Sequence, residues 1–264
     1  MIQSFLKRLH PVAELSLSIW FLAGIFFLVA LAYSSVGLGG GTSYTALLAI
    51  AGAGVLTLPM VSLVLNLAVT TIGSISFIKN KHARIGLILP FLVSSIPMAY
   101  VGGTLHLPKT FFYWILFASL VFVALRIYVW DHLSFKLETT AQRKFIISLF
   151  AGAVLGLLSG IVGIGGGIYL VPLILILGLG TPKEAAACGA IFIFLNSASG
   201  LAARFQYNRV DITDFMPLLV AVLVGGLAGS WLGATQLKPR VMEKILGGIV
   251  IIAIIILGQK LFLL

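Results

Sequence analysis

The sequence predicts an all-α polytopic membrane protein made of two homologous halves. Hydrophobic residues make up 60% of its 264 positions and charged residues only 9%, whereas a soluble domain carries about 25% charged residues. The mean hydropathy is +1.16. The pattern Val-Gly-[Leu/Ile]-Gly-Gly-Gly also occurs twice, at residues 36–41 and 162–167. Because the copies lie about half a chain apart, they indicate an internal duplication.

The first half contains four long apolar segments and one short one, which follows the first glycine pattern. A membrane-spanning helix needs roughly 20 residues. Spanning helices are therefore predicted over 15–33, 58–78, 85–105 and 110–130, with the short segment over 42–50. Since a helix rises about 1.5 Å per residue, the short segment should enter the membrane without crossing it.

The second half repeats this plan after a polar linker. We divide the chain into a first transmembrane repeat (1–130), the linker (131–144) and a second repeat (145–264). In the second repeat, long helices are predicted over 145–158, 185–205, 212–235 and 241–264, with a short one over 168–177. The prediction is thus about eight spanning helices plus two half-helices. Asn66 and Asn196 follow the two glycine patterns at similar distances and are predicted to correspond.

The 17 Lys and Arg residues predict the orientation, because basic residues accumulate in cytoplasmic loops. If the short segments do not cross, 12 of the 17 lie on the side of the two termini; if they cross, 6 do. The first arrangement is favoured. It predicts that both termini are cytoplasmic and that the two halves are parallel repeats.

Several function classes lack support in the sequence. The net charge of +10 comes without a basic cluster interleaved with aromatics, so nucleic-acid binding is not indicated. The zinc-protease and hydrolase motifs are missing, and no paired aspartates lie within the predicted spans. All acidic residues and histidines fall at segment ends or in loops. We therefore expect no enzyme, no cofactor, no metal site and no proton relay at mid-membrane depth.

The glycine triplets suggest a binding site for a small anion. They free backbone N–H groups, and the half-helix that follows directs its positive end toward the break. Hydroxyl and amide groups on neighbouring helices would complete the site. The candidate residues are Gly39, Gly40, Gly41, Thr42, Ser43, Asn66, Thr70, Gly165, Gly166, Gly167, Ile168, Asn196 and Ser197.

Structural roles are the alternative interpretation for these residues. Glycines in membrane helices often serve close helix packing, and the two asparagines could form interhelical hydrogen bonds. Arg126 and Arg204 are predicted to extend toward the membrane surface. Close packing is the favoured role for the remaining paired glycines, which are Gly102, Gly103, Gly225, Gly226, Gly229 and Gly233.

The repeated motif and its surroundings resemble the sulfite exporter TauE/SafE family of bacterial permeases. The resemblance is carried by both glycine patterns, by Val171-Pro172-Leu173, by Thr181-Pro182-x-x-Ala185 and by Asn196. It implies an inner-membrane carrier that moves sulfite or a small organosulfur anion such as a sulfonate. A passive anion channel of the same architecture is the alternative function. The sequence makes no prediction of the oligomeric state.

Overall fold

The computed structural model describes residues 15–35, 38–129, 140–207, 213–235 and 239–262. Apart from one short 3₁₀ turn at Thr213–Phe215, the regular structure in these ranges is α-helical. The ten helices are α1 (Ile19–Ser35), α2 (Gly41–Ile50), α3 (Thr57–Lys79), α4 (Ile85–Thr104), α5 (Lys109–Tyr128), α6 (Ala141–Val162), α7 (Gly167–Ile176), α8 (Pro182–Phe205), α9 (Met216–Thr235) and α10 (Pro239–Phe262).

The helical prediction is confirmed for the described residues. α6 begins at Ala141, inside the predicted linker 131–144, whose residues 131–139 lie outside the described ranges. Val36 and Gly37 of the first glycine pattern lie outside them as well.

Five helices in the described ranges are long and apolar enough to cross a membrane. They are α3, α4, α6, α8 and the segment Thr213–Ser230, which contains most of α9. Large apolar side chains such as Trp20, Ile85 and Phe150 are each 73% exposed, as lipid-facing residues are. The structure thus supports a multi-pass membrane protein, while the count of eight spans stays a prediction.

The first glycine break lies at the tip of a helical hairpin formed by α1 and α2. The backbone N–H and the hydroxyl of Ser16 both donate to the carbonyl of Ala51, at 2.7 and 3.1 Å. The start of α1 and the end of α2 therefore lie at the same end of the helix bundle. We call this the first end; it also contains Val55 and His106, which line one cavity together.

The opposite end, which we call the second end, is defined by the starts of α4 and α8. Arg84 Nη1 lies 3.7 Å from Glu184 Oε1, which joins these two helix starts. A capping box between Thr181 and Glu184 begins α8. Gly180 lies between the end of α7 and Leu87 of α4, so α7 also ends at the second end.

α6 starts at the second end too, because it runs parallel to α4. Gly152 lies against Phe91 and Gly160 lies against Ala99, so the two helices advance in the same direction. The α6–α7 hairpin therefore starts and ends at the second end, whereas the α1–α2 hairpin starts and ends at the first end. The predicted parallel arrangement of the halves is wrong. Charge counting could not separate the two arrangements, because a returning hairpin leaves 11 of the 17 basic residues on the side opposite the termini, nearly as large a majority as the 12 counted on the side of the termini.

Glycines bring two pairs of helices into backbone contact. A Cβ at Gly152, Gly156 or Gly160 would collide with a carbonyl of α4, and one at Gly225 or Gly229 would collide with a carbonyl of α1. Small residues at such spacings permit close approach of membrane helices. The packing role predicted for Gly102, Gly103, Gly225 and Gly229 is confirmed; Gly226 has only ordinary contacts, and the surroundings of Gly233 lie outside the described side chains.

The close contact between α4 and α6 predicts opposite effects for two equivalent substitutions. Gly156→Ala should lower the thermal unfolding midpoint in detergent, because its Cβ meets the Ser95 carbonyl and overpacking costs about 1–3 kcal/mol. Gly24→Ala adds the same methyl group where no atom lies within 4 Å. It should leave the midpoint unchanged or raise it, because alanine favours the helix by about 1 kcal/mol. Equal effects would contradict this packing.

Candidate anion site between the two glycine breaks

Each glycine break presents the start of a helix without a side-chain cap. Gly40 precedes α2 with φ 92° and Gly166 precedes α7 with φ 75°, in the left-handed region that favours glycine. The first N–H groups of a helix have no partner within it, and the aligned peptide dipoles place partial positive charge there. The two hairpin tips thus supply two sets of donors.

Asn66, on α3, contacts both breaks. A Cβ built on Gly39 would lie 2.9 Å from Asn66 Oδ1, and one built on Gly165 would lie 3.2 Å from Asn66 Nδ2. Gly41 also lies against this amide. The side chain is fully buried. One amide group therefore joins the glycine segments of the two halves at the centre of the bundle.

The polar atoms at this centre include several without hydrogen-bond partners. In the described part of the chain, neither Nδ2 nor Oδ1 of Asn66 is paired, and neither is the hydroxyl of Ser197. That hydroxyl is 3.1 Å from a Cβ position on Gly165. Since buried polar groups in native proteins are nearly always paired, these groups are candidates for binding a polar ligand.

Ile193 takes the position at the second break that Asn66 takes at the first. Gly39 is surrounded by Asn66, Thr70 and Ile193, and Gly165 by Ile193, Ser197 and Asn66. By this geometry Asn66 matches Ile193 and Thr70 matches Ser197, each pair 127 positions apart. The site therefore has an amide wall on one side and an aliphatic wall on the other.

The predicted correspondence between Asn66 and Asn196 is corrected by these contacts. Asn196 Nδ2 donates to the carbonyl of Phe192 at 2.8 Å, one turn back in its own helix. Its side chain is not among the nearest neighbours of any glycine in either break. The polar residue that α8 places at the breaks is Ser197.

Three predicted hydroxyl groups have other partners. The Tyr33 hydroxyl bonds with Thr42 Oγ1 at 3.0 Å and with Ser43 Oγ at 2.9 Å. Thr70 Oγ1 donates to the Asn66 carbonyl at 2.6 Å, and its methyl group is directed at Gly39. The hydroxyls of Thr42 and Ser43 are thus occupied, so these residues can contribute only their backbone N–H groups to the site. The buried Ile168 at the start of α7 can likewise contribute its backbone N–H group.

A small pocket lies beside these residues on the second-end side. It is lined by Leu38 and Thr70 at the inner side and by Gly73 and Ala190 farther toward the second end, and its volume of about 10 Å³ is about that needed for one water molecule. In the direction of the first end, a Cβ built on Gly200 would lie 3.5 Å from Gly160 and from Leu63, which is an ordinary contact. The pocket therefore marks the second-end side of the site.

Sequence reasoning missed Tyr44, whose ring covers the first break. A Cβ on Gly40 would lie 2.7 Å from the Tyr44 ring, and the ring stacks on Phe26 at 5.1 Å between centroids. Helical side chains lean toward the N-terminus, so the spacing of four residues between Gly40 and Tyr44 was the available signal. Ile193 had no comparable signal, because an isoleucine in an apolar helix is ordinary.

Arg204 does not extend toward the membrane surface as predicted. Its side chain is 5% exposed, and Nη2 donates to the carbonyls of Gly160 and Ile161 at 2.7 and 2.8 Å. The guanidinium thus pairs with the last turn of α6, directly before the second break. The side chain of Arg126 lies outside the described ones.

The unpaired amide of Asn66 predicts a change in stability. Asn66→Leu should raise the thermal unfolding midpoint of the ligand-free protein, because a buried unpaired polar group costs about 1–3 kcal/mol. Ser62→Ala is the matched control. Ser62 accepts a bond from Thr45 and donates one to the Gly41 carbonyl, so its removal should lower the midpoint. A lower midpoint for Asn66→Leu would contradict the assignment of an unpaired amide.

Comparison with known proteins places this architecture in a family. A model of the sulfite exporter TauE/SafE family matches residues 22–260. The probable membrane transporter protein y4hK of Sinorhizobium fredii is 32% identical over 246 residues, covering 88% of this chain and 95% of that protein. The probable membrane transporter protein YunE of Bacillus subtilis is 31% identical over 108 residues, covering 41% of this chain and 38% of that protein.

No solved structure matches the chain. The family match extends over both hairpins and the helices that enclose them. The chain belongs to the sulfite exporter TauE/SafE family of membrane transporters.

Proposed function

We propose that the protein is a secondary transporter that moves sulfite or a small sulfonate across the bacterial inner membrane. The anion binds between the two glycine breaks. The observation that carries this proposal is the unpaired, fully buried amide of Asn66, which contacts both breaks.

The chemistry of this centre suits an oxyanion. Two helix N-termini supply N–H donors and partial positive charge, and Asn66 Nδ2 and Ser197 Oγ can donate as well. Sulfite and sulfonates carry three oxygens that can accept bonds from these groups. A cation would need carboxylates or helix C-termini instead, and no described Asp or Glu is among the nearest neighbours of the breaks.

The packing also favours alternating access of a carrier. α4 runs along α6 as α9 runs along α1, the pattern expected of inverted repeats around a central site. A small pocket adjoins the site on its second-end side, and alternating access requires a second state that opens toward the first end. The inverted hairpins support a carrier, and a passive anion channel stays the alternative.

We infer that the second end faces the cytoplasm, and the distribution of basic residues supports this inference. Lys and Arg concentrate in cytoplasmic loops. Among basic residues with described side chains, two lie at the first end and six at the second: Lys109 and Arg204, against Lys79, Lys81, Arg84, Arg143, Lys144 and Lys183. This proposal places residues 15 and 262 outside the cytoplasm and replaces the expectation of cytoplasmic termini.

Transport should depend on one of the two asparagines and not on the other. Asn66→Leu removes a donor to the anion, and such charge-assisted bonds contribute about 1.5–3 kcal/mol, so counterflow of labelled sulfite into proteoliposomes should fall about 10- to 100-fold. Asn196→Leu removes an amide that bonds only within its own helix and should retain most of the rate. Equal rates for both variants would contradict the site, and electrodiffusive current without counterflow would indicate a channel.

The proposed orientation can be tested with single cysteines. After Cys188, the sole native cysteine, is replaced by alanine, Thr110→Cys reports on the first end and Asn80→Cys on the second. Both positions are exposed. In right-side-out spheroplasts, a membrane-impermeant maleimide should label residue 110 readily and residue 80 only after lysis. The reverse labelling pattern would place the first end in the cytoplasm.

A further inference from the structure

Arg204 is a buried cation without an acidic partner in the described part of the chain. Its two hydrogen bonds, to the carbonyls of Gly160 and Ile161, both come from Nη2. Nε is buried without a partner, and Nη1 makes no bond to a described residue. Burial of a charge costs free energy unless it is paired and hydrogen-bonded, and two neutral carbonyls offset that cost only in part.

The guanidinium lines an open cavity at the first end. The cavity is small, about 20 Å³, and open to the surroundings, and its wall includes His106, Leu107 and Phe112. None of the described residues that line it is Asp or Glu. Nη1, unlike Nε, is not among the fully buried atoms and has no bond to a described residue, so its N–H groups can donate to an oxyanion in the cavity.

The cavity is separate from the central site but lies on the route to it. Arg204 follows Ser197 by seven residues on α8, which corresponds to about 10 Å along the helix and nearly the same face. Between them, Gly200 lies near Gly160 and Leu63 at ordinary contact distance. An anion that passes from the central site toward the first end would therefore meet the guanidinium.

We propose that Arg204 and this cavity form a second oxyanion-binding site, distinct from the site at the glycine breaks. The inference rests on the proposed transport of a small oxyanion. The two carbonyls at the negative end of α6 partly neutralise the guanidinium, so the site binds an anion transiently and releases it. It holds the anion at the first end before entry into, or after exit from, the central site.

The test is equilibrium binding of ³⁵S-labelled sulfite to the purified full-length protein, under anaerobic conditions in detergent. The wild type should bind two sulfite ions per chain and Arg204→Gln one. Lys109→Gln, which removes a positive charge at the same end without lining the cavity, should still bind two. Asn66→Leu should bind one, and the double variant with Arg204→Gln none.

A structural role for Arg204 alone predicts a different result. If the guanidinium only caps α6, Arg204→Gln loses thermal stability and still binds as many sulfite ions as the wild type, which would overturn the second site. If Arg204→Gln does not fold, Leu107→Trp fills the cavity while the Arg204 bonds to α6 remain, and two bound ions would again overturn it. If Asn66→Leu keeps two ions and Arg204→Gln loses one, the central site fails and the second site stands.

Discussion

Irregular backbone inside a membrane must be enclosed by protein, and this constraint shapes the whole molecule. Unpaired N–H and C=O groups cannot face lipid, and they are tolerated only where protein surrounds them or where they line a cavity. The segments at Gly39–Gly41 and Gly163–Gly167 are buried, and α3 and α8 supply the side chains that cover them. The enclosed N–H groups are then available to a ligand that can use them.

Helix packing keeps the two hairpin tips at the same place. Backbone contact at Gly152, Gly156 and Gly160 fixes α6 against α4, and Gly225 and Gly229 fix α9 against α1. Asn66 and Ile193 then lie between the tips, one on each central helix. The unpaired amide lies against both segments, and the isoleucine forms an apolar wall opposite it. A small anion would be held in a largely dehydrated space in which each N–H dipole is effective.

Much of the helical layout could be predicted because hydrophobic length alone determines it. The segment predicted over 58–78 is α3 (Thr57–Lys79), and the short pieces after each glycine pattern are α2 and α7. The direction of each half could not be predicted in this way, since a hairpin that returns to its own side has the same composition as one that crosses. Only contacts such as Ser16 with Ala51 reveal the return.

Side-chain roles were harder to predict than helices. Both glycine triplets and Asn66 were predicted as site residues because repetition and polarity in an apolar context stand out, and the structure places Asn66 against Gly39, Gly41 and Gly165. Asn196 was paired with Asn66 by residue type, although the helical register places Ile193 there. Arg204 was expected near the lipid surface, since sequence does not show that the end of α6 offers two free carbonyls beside it.

The central claim is that backbone N–H groups of both breaks, together with Asn66, bind the transported anion. A structure determined with selenite, whose selenium can be located by anomalous scattering, tests this most directly. The account predicts an anion between Gly39–Gly41 and Gly165–Gly167, within about 3 Å of Asn66 Nδ2 and of N–H groups from both segments. Selenite bound only beside lysine or arginine side chains, with none between the breaks, would contradict it.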